Sequence, residues 1–388
     1  MARIPFLAKV YGFRFFDGFV LIYPLYTVMW VQGGLSPSQV ATALTAWSIT
    51  GIFLQIPSGL LADRWPRRWL LAAGQIARGV GFVIWIVWPG FLGFTLGMML
   101  WGAKSAFTNG VFEALVYDEL HATGRADEYP QVIGRCFGAV YAAVMLTSLL
   151  AAAMAPLGYQ AILAASVGMS LVAAGAALAL PQARRTLQIA RPHPIAHLVR
   201  GFRTVARTPL VLGLIGFAAL SQAFGGGLEG FWQIFGRQAG LPLSLVALFG
   251  AAVGAAQIGG STLAHRAGSR GGAARFYGLF GLAGLLLATA AATFQPWSVV
   301  LVIFVAALFK VTDVNFDAQL HHAIPTESRA TIASVKSFAG QVVMTVMLMS
   351  FGALAQGLSY RMAFLGAGLA LVAIAAAYGL AGLRKTAI

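Results

Sequence analysis

The chain has 388 residues, of which 59% are hydrophobic and 10% are charged. Ordinary soluble domains have about 45–50% apolar and about 25% charged residues, so this composition excludes a soluble globular protein and indicates a polytopic membrane protein. A formal net charge of +15 would indicate a nucleic-acid partner in a soluble protein. In a membrane protein, lysine and arginine collected in cytoplasmic loops explain this charge, and no nucleic-acid partner is expected.

Apolar windows of about 20 residues, separated by glycine, proline or charged residues, predict twelve transmembrane helices. The predicted spans are 9–31, 39–62, 68–88, 91–117, 134–155, 158–180, 209–235, 243–264, 273–293, 296–320, 331–356 and 360–382. Several external turns are very short, which requires neighbouring helices to be antiparallel. The predicted fold class is therefore an all-α membrane protein.

The basic residues predict the orientation of the chain. Twenty of the 26 lysines and arginines fall on predicted cytoplasmic loops and termini, whereas Arg237 and Arg361 fall on external loops. By the positive-inside rule both termini are cytoplasmic, and we expect a multi-pass protein of the inner cell membrane. Arg14 and Asp17 interrupt the first apolar stretch, so that stretch is expected to be an uncleaved span and not a signal peptide.

A short cationic turn joins predicted spans 2 and 3. The segment 59–71 holds one acid and three bases between two apolar runs, so it must lie at a water-facing edge of the membrane. It resembles the loop between helices 2 and 3 of the major facilitator superfamily, whose pattern is Gly-x-Leu-Ala-Asp-Arg-x-Gly-Arg-Lys. The matching residues are Gly59, Leu61, Ala62, Asp63, Arg64, Arg67 and Arg68, and Pro66 replaces the second glycine.

This resemblance implies roles for four residues at a cytoplasmic gate. In the family, the aspartate that corresponds to Asp63 caps the start of helix 11. The arginine that corresponds to Arg67 pairs with an acid at the cytoplasmic end of helix 4, where this chain has Asp118. With Arg64, these residues are expected to latch the two halves of the transporter together. The alternative is a plain basic loop that only follows the positive-inside rule.

The two halves of the chain are related in sequence. A long, arginine-rich cytoplasmic linker at 181–208 separates an N-terminal six-helix bundle at 1–180 from a C-terminal bundle at 209–388. Five short matches occur in chain order at offsets of 199 to 206 residues: Arg3-Ile4-Pro5 with Arg207-Thr208-Pro209, Ala62-Asp63-Arg64 with Ala264-His265-Arg266, Lys104 with Lys310, Tyr117-Asp118 with Phe316-Asp317, and Arg135-Cys136-Phe137 with Lys336-Ser337-Phe338. Two duplicated, pseudo-symmetric bundles are the architecture of the facilitator fold.

Ionisable residues inside the spans are candidate functional residues, because each costs roughly 2.5–3.5 kcal/mol on insertion scales. Burial favours the neutral carboxylic acid, so a carboxyl in a span can bind and release a proton near neutral pH. The expected proton-coupling residues are Asp17, Glu113, Glu229, Asp313 and Asp317. The expected substrate-binding residues are Arg14, Lys104 and Lys310. The alternative is that these charges form internal salt bridges, and Arg78 in span 3 is expected to be purely structural.

The resemblance implies a polar central cavity lined mainly by helices 1, 4, 7 and 10. Three consecutive glycines, Gly225–Gly227, are expected either to break span 7 beside that cavity or to permit close helix packing. The histidine pair His321-His322 has no clustered acidic or cysteine partners, so no metal site is expected.

The expected function is secondary active transport by alternating access. No phosphate loop, nucleophile elbow or zinc motif is present in the sequence, so neither an enzyme nor a cofactor is expected. We favour proton-coupled efflux of a small amphipathic or anionic compound, because the spans hold many aromatic residues. The alternatives are a proton-coupled uptake symporter, or an uncoupled lipid-moving or sensor protein. The expected partners are the substrate, protons and membrane lipids, and the protein is expected to function as a monomer.

Overall fold

The computed structural model describes residues 3–181, 209–267, 273–323 and 329–386. Within these ranges the protein is α-helical and contains no β-strand. All of the predicted linker except Pro181 lies outside the described residues. The chain is thus an all-α membrane protein, as its composition predicts.

Fifteen helices make up the described ranges, with short 3-10 turns before α7, after α7 and before α13. The helices before the linker are α1 (Arg3–Gly18), α2 (Tyr26–Gln32), α3 (Pro37–Arg64), α4 (Arg67–Val87), α5 (Phe91–Thr108), α6 (Val111–Ala122), α7 (Tyr129–Met154) and α8 (Tyr159–Leu178). Those after it are α9 (Pro209–Glu229), α10 (Trp232–Gln238), α11 (Leu243–Ala267), α12 (Ala273–Thr293), α13 (Val299–Ala323), α14 (Arg329–Gly357) and α15 (Tyr360–Thr386).

The described helices form two compact units. The first contains the described residues of Met1–Leu35, Thr42–Ala190 and Leu243–Ala251, and the second contains those of Ser36–Ala41, Arg191–Pro242 and Ala252–Ile388. Two short segments therefore pack with a different unit from their chain neighbours. In the second unit, the Ser38 hydroxyl donates a hydrogen bond to the Gly352 carbonyl at 3.4 Å. In the first, Gly250 lies against Pro24.

Eight described helices are each long and apolar enough to cross a membrane: α4, α7, α8, α11, α12, α13, α14 and α15. A ninth, α3, is bent by 46° at Pro57, whose ring clashes with the preceding turn and whose nitrogen donates no hydrogen bond. Predicted spans 1, 4 and 7 are each built from two helices in sequence. Counting each of these pairs as one span fits the twelve spans that the sequence predicts.

Two of the breaks differ from the sequence predictions. The continuous helix predicted over 91–117 is divided at Asn109–Gly110, where Gly110 takes a φ of 78° that favours glycine. The expected break at Gly225–Gly227 is absent, and α9 continues to Glu229. These glycines serve close packing instead, since a Cβ at Gly227 would overlap the methyl group of Met347.

A short helix with the same ending recurs in each half. Helices α2 and α10 both have seven residues, and α10 begins 206 residues after α2. Each is followed by a glycine with positive φ, Gly34 at 92° and Gly240 at 103°. In both, a leucine amide then bonds back into the helix at 3.0 Å, from Leu35 to Trp30 and from Leu241 to Gly236. This is a Schellman cap, repeated in the chain.

The pattern of packed helix pairs also recurs. In the first half α1 packs on α7, and α4 packs on both α5 and α8. In the second half α9 packs on α14, and α12 packs on both α13 and α15. These are equivalent pairs in a six-helix repeat, so the internal symmetry seen in the sequence is present within the separate units.

Glycines allow the closest of these helix contacts. On α4 and α5, a Cβ at Gly81 would lie 2.9 Å from the Gly97 carbonyl oxygen. On α12 and α15, a Cβ at Gly284 would lie 2.7 Å from the Gly368 carbonyl oxygen. Small residues at such crossings bring two backbones together in the absence of a hydrophobic driving force between helices.

We predict that Gly97→Ala destabilises the protein and that Gly168→Ala does not. The new methyl group at position 97 would overlap the indole nitrogen of Trp85, a fully buried side chain. Overpacking of this kind costs about 1–3 kcal/mol. At Gly168 in α8 a Cβ meets nothing within 4 Å. Thermal unfolding of the purified variants measures the difference, and equal melting temperatures would contradict the α4–α5 packing described here.

Candidate functional site

A cluster of buried charges lies inside the first unit. It consists of Arg14 and Asp17 on α1, Gln75 and Arg78 on α4, and Lys104 on α5, and we call it the Asp17 cluster. Asp17, Gln75, Arg78 and Lys104 are each buried to at least nine-tenths. Three predicted spans therefore contribute polar side chains to one point.

The Asp17 carboxylate is the hub of this cluster. Its Oδ2 accepts a hydrogen bond from Arg14 Nη1 at 2.8 Å, and its Oδ1 accepts one from Gln75 Nε2 at 2.7 Å. Lys104 Nζ forms an ion pair with the same Oδ1. Arg78 Nη1 lies 3.8 Å from Oδ1. One carboxylate thus pairs with three cations and balances one of their three positive charges.

Arg78 also stabilises the end of helix α1. Its Nη1 donates a hydrogen bond of 2.8 Å to the backbone carbonyl of Asp17, one residue before α1 ends at Gly18. The last carbonyls of a helix have no partner within the helix and carry partial negative charge. A cation here satisfies a carbonyl that the break in span 1 exposes, as is required at membrane depth.

Two pairs of side chains, each pair on one helix face, and one close contact between helices α4 and α5 form this cluster. Arg14 and Asp17, like Gln75 and Arg78, are three residues apart and therefore share a helix face. Gly74 lies against the backbone of Lys104, because a Cβ there would come within 3.4 Å of the Lys104 Cα. A methyl group at position 74 would therefore be in van der Waals contact with α5, whereas a larger side chain would meet the backbone that carries Lys104.

The cluster carries an excess of positive charge. Its five side chains hold three positive charges and one negative charge, so its formal charge is +2. Fixed cations inside an apolar medium attract an anion far more strongly than they would in water. An anionic group is therefore the chemical partner that this arrangement suits.

The predicted substrate-binding residues are placed differently in the two halves. Arg14 and Lys104 both belong to the Asp17 cluster, with 13% and 11% of their side chains exposed. Lys310, in the second unit, pairs with Asp313 of its own helix at 3.4 Å, and these side chains are 32% and 37% exposed. The Lys310–Asp313 pair is therefore less buried than the Asp17 cluster.

The other predicted proton-coupling carboxyls lie at separate places. The Glu113 carboxylate accepts a hydrogen bond of 2.8 Å from the Gly110 amide, so it caps the N-terminus of α6. Glu229 is the last residue of α9, at the break in span 7. Asp317 lies on α13, and its side chain is outside the described part of the structure. Within the described part of the structure, Asp17 is the one predicted proton-coupling carboxyl that belongs to the Asp17 cluster.

The structure also brings together two of the predicted gate residues. Arg67, at the start of α4, donates a hydrogen bond of 2.6 Å to Asp118 on α6. Their side chains are 13% and 11% exposed, so the pair is partly shielded from solvent. Asp63 and Arg64 are exposed at the end of α3. Within the described residues, no group of three or more metal-ligating side chains is present.

Sequence reasoning does not single out Gln75, and it gives Arg78 only a structural role. The ion pair between Arg78 and Asp17 agrees with that interpretation, but the meeting of both side chains at one carboxylate is not predicted. The signal that could have found them is a polar pair at helical spacing on an otherwise apolar span, which repeats the spacing of Arg14 and Asp17. What the sequence could not supply is the packing that brings α1, α4 and α5 together.

We predict that Asp17→Asn strongly destabilises the protein, because it leaves three buried cations without a counter-charge. Removing one partner of a buried ion pair costs about 3–5 kcal/mol. Adding Lys104→Met to Asp17→Asn should restore part of this loss, because it removes one unpaired cation. Thermal unfolding of the wild type, both single variants and the double variant measures the coupling. Additive effects of the two changes would show that Asp17 and Lys104 do not interact.

Comparison with known proteins agrees with the fold. A model of the Major Facilitator Superfamily matches residues 10–347. The crystal structure of the nucleoside transporter NupG is 13% identical, with a TM-score of 0.75 over 97% of this chain and 98% of that one. A bacterial homologue of the human lysosomal transporter Spinster, in an inward-facing and unoccupied conformation, is 16% identical, with a TM-score of 0.76 over 97% and 95%.

A D-xylose–proton symporter is 17% identical, with a TM-score of 0.64 over 95% of this chain and 96% of that one. Such low identities show a shared fold and nothing finer. No curated protein matches the chain. Because the family model covers most of the sequence and the solved transporters share the fold along nearly their whole length, this chain belongs to the major facilitator superfamily and is a membrane transporter, not an enzyme.

Proposed function

We propose that this transporter is a proton-coupled secondary transporter that exports a small organic compound carrying an anionic group. The observation that carries the proposal is the Asp17 cluster, in which three cations surround one carboxylate inside the membrane. Such a site is expensive to maintain, and a purely structural role would need only one cation for the one acid. A substrate anion would supply the missing negative charge.

We assign different roles to the two sets of charges. A proton on Asp17 would raise the formal charge of the cluster from +2 to +3, so Asp17 serves as a fixed counter-ion. We assign proton coupling to three carboxyls of the second half: Asp313, Glu229 and Asp317. Asp313 is 37% exposed, against 6% for Asp17, so it is the less enclosed of the two carboxyls and the one to which we assign proton exchange. That a D-xylose–proton symporter shares the fold shows that coupling to protons is compatible with it.

Efflux is the proposed direction, and the inner cell membrane is the proposed location. The many aromatic residues of the spans, with 27 phenylalanines and nine tryptophans in the chain, suit an amphipathic substrate. The bias of lysine and arginine toward alternate loops places both termini in the cytoplasm by the positive-inside rule. An exporter in this membrane would exchange substrate for incoming protons.

We predict that proteoliposomes of this protein exchange protons for an organic anion. The probe is naphthalene-1-sulfonate, a permanent anion, added outside vesicles with an acidic lumen and a trapped pH-sensitive dye. Antiport gives uptake of the probe with alkalinisation of the lumen, whereas symport requires an alkaline lumen. Asp313→Asn should abolish the gradient-driven flux and leave probe exchange at equal pH intact, because only proton binding is lost.

The matched control is Asp127→Asn, which removes a carboxyl from an exposed position outside the proposed site. The quaternary (1-naphthylmethyl)trimethylammonium cation has the same ring system and opposite charge. Transport of this cation in preference to the sulfonate would contradict an anionic substrate. Undiminished gradient-driven flux in Asp313→Asn, Glu229→Gln and Asp317→Asn would contradict proton coupling by these carboxyls.

We further propose that Arg67 and Asp118, with Asp63 and Arg64 in the same turn, control access from the cytoplasmic side. The Arg67–Asp118 hydrogen bond joins the turn between α3 and α4 to helix α6. A charge-assisted hydrogen bond that is partly shielded contributes about 1.5–3 kcal/mol. This is enough to change the population of an open state by about tenfold, since 1.4 kcal/mol corresponds to a factor of ten.

We predict that Asp118→Asn increases water access at Asn109, which lies at the break between α5 and α6. Non-helical backbone at membrane depth is tolerated when it faces protein or water, and Asn109 is exposed. In a Cys136→Ser background, the rate at which a membrane-impermeant maleimide labels Asn109→Cys should rise severalfold with Asp118→Asn. Asp127→Asn serves again as the control. An unchanged labelling rate would exclude the Arg67–Asp118 pair as part of the gate.

A further inference from the structure

We propose that Arg78, together with Arg14, recognises the oxyanion group of a ligand by a two-point contact inside the first unit. This rests on the proposed function and names the chemistry of its substrate: a carboxylate, sulfonate or phosphate group, and not a spherical anion. The expectation from sequence was that Arg78 is only structural. Three observations argue for a larger role.

The first observation concerns the hydrogen-bond donors of Arg78 that have no acceptor among the described residues. Its Nη1 is used by the Asp17 carbonyl. Its Nε and Nη2 are buried and have no hydrogen-bond partner among the described residues. The whole side chain is only 1% exposed. Buried donors of a charged group are costly to leave unsatisfied, so a guanidinium kept in this state indicates a partner that it binds.

The second observation is which two donors these are. The Nε and Nη2 groups lie on the same edge of the planar guanidinium and point in parallel directions. Such an edge matches two oxygens of one carboxylate, sulfonate or phosphate group. Arg14 adds one further donor, because its Nη1 binds Asp17 and its Nε is buried without a partner in the described part of the chain. Two guanidinium groups, one with a pair of unpartnered donors and one with a single such donor, thus flank the same Asp17 carboxylate.

The third observation is the fixed orientation of both arginines. Arg78 is held by the Asp17 backbone, and the Cζ of Arg14 lies 4.9 Å from the centre of the Phe112 ring. An aromatic ring beside a guanidinium fixes the orientation of the guanidinium plane. The attraction to the ring also offsets part of the cost of removing the guanidinium from water. Preorganised donors lose little entropy when a ligand binds, which favours a geometric match over simple charge attraction.

The positive charge of the cluster also favours an oxyanion as the ligand. With a formal charge of +2, the five side chains gain from any anion, but only an oxyanion uses the parallel donors. Arg14 and Lys104, with 13% and 11% of their side chains exposed, are the least buried charged members of the cluster. The proposed ligand approaches from the side of these two residues and directs its charged oxygens to Arg78.

The test compares oxyanions with a spherical anion on the purified full chain in detergent at one pH, and the singly charged carboxylate and sulfonate match chloride in charge. Sodium naphthalene-1-carboxylate, naphthalene-1-sulfonate, naphthyl phosphate and chloride are titrated at constant ionic strength, with thermal stability and calorimetry as readouts. The three oxyanions should raise the melting temperature saturably, as a ligand of the folded state does. Chloride at the same concentration should have no comparable effect.

Arg78→Lys keeps the charge and removes the parallel pair of donors. It should weaken oxyanion binding at least about tenfold, because lysine contacts phosphates and carboxylates as a point charge. Lys9→Gln, which removes an exposed cation from the same helix as Arg14, should leave binding unchanged. If Arg78→Lys fails to fold, Arg14→Lys and the shape series on the unaltered protein still decide the question. Equal stabilisation by chloride, full affinity in a folded Arg78→Lys, or no anion binding at all would each overturn the proposal.

These outcomes are separable from those of the transport experiment. Oxyanion binding that depends on Arg78, without pH-driven flux, would uphold this site and refute proton-coupled export. Anion flux that persists with undiminished affinity in Arg78→Lys would uphold the transport proposal and refute the two-point contact.

Discussion

The arrangement of the first unit depends on one carboxylate inside the membrane. Without Asp17, spans 1, 3 and 4 would bring three cations together in an apolar environment, at a cost of several kcal/mol. The same residue lies one position before the end of helix α1, and its backbone carbonyl accepts a hydrogen bond from Arg78. The break in span 1 and the charge cluster are therefore one feature. Arg78 donates a hydrogen bond to a carbonyl at the end of α1, and the Asp17 side chain beside that carbonyl pairs with all three cations.

The two halves of the chain share a scaffold but not a chemistry. Lys104 and Lys310 occupy matching positions in the repeat, yet their partners differ. Lys104 pairs with a residue of another helix and is buried, whereas Lys310 pairs with Asp313 on its own helix and is about one-third exposed. A buried, mutually fixed set of charges suits recognition, and an open pair suits exchange of protons with water. The proposed division of roles follows from this difference in burial.

The sequence predicts an all-α membrane fold because hydrocarbon imposes strict rules on the composition and length of the helices that cross it. It also predicts the partners of Arg14 and Arg67, since one is a neighbour on the same helix face and the other is implied by the family motif. It does not predict the break at Gly110, because the surrounding residues are apolar and typical of a helix. Nor does it predict the role of Gln75 and Arg78, because these depend on the distance between α1 and α4, which is set by packing.

The two Schellman caps indicate how the first half of the chain can be aligned with the second half. Their hydrogen bonds are made by backbone atoms, so they tolerate almost any side chains except at Gly34 and Gly240, where the positive φ favours glycine. The sequences of α2 and α10 have accordingly become very different while their geometry has stayed the same. Turn glycines are thus better landmarks of an ancient duplication than the apolar residues around them, and the offset of 206 residues between Gly34 and Gly240 is also the one that relates Lys104 to Lys310.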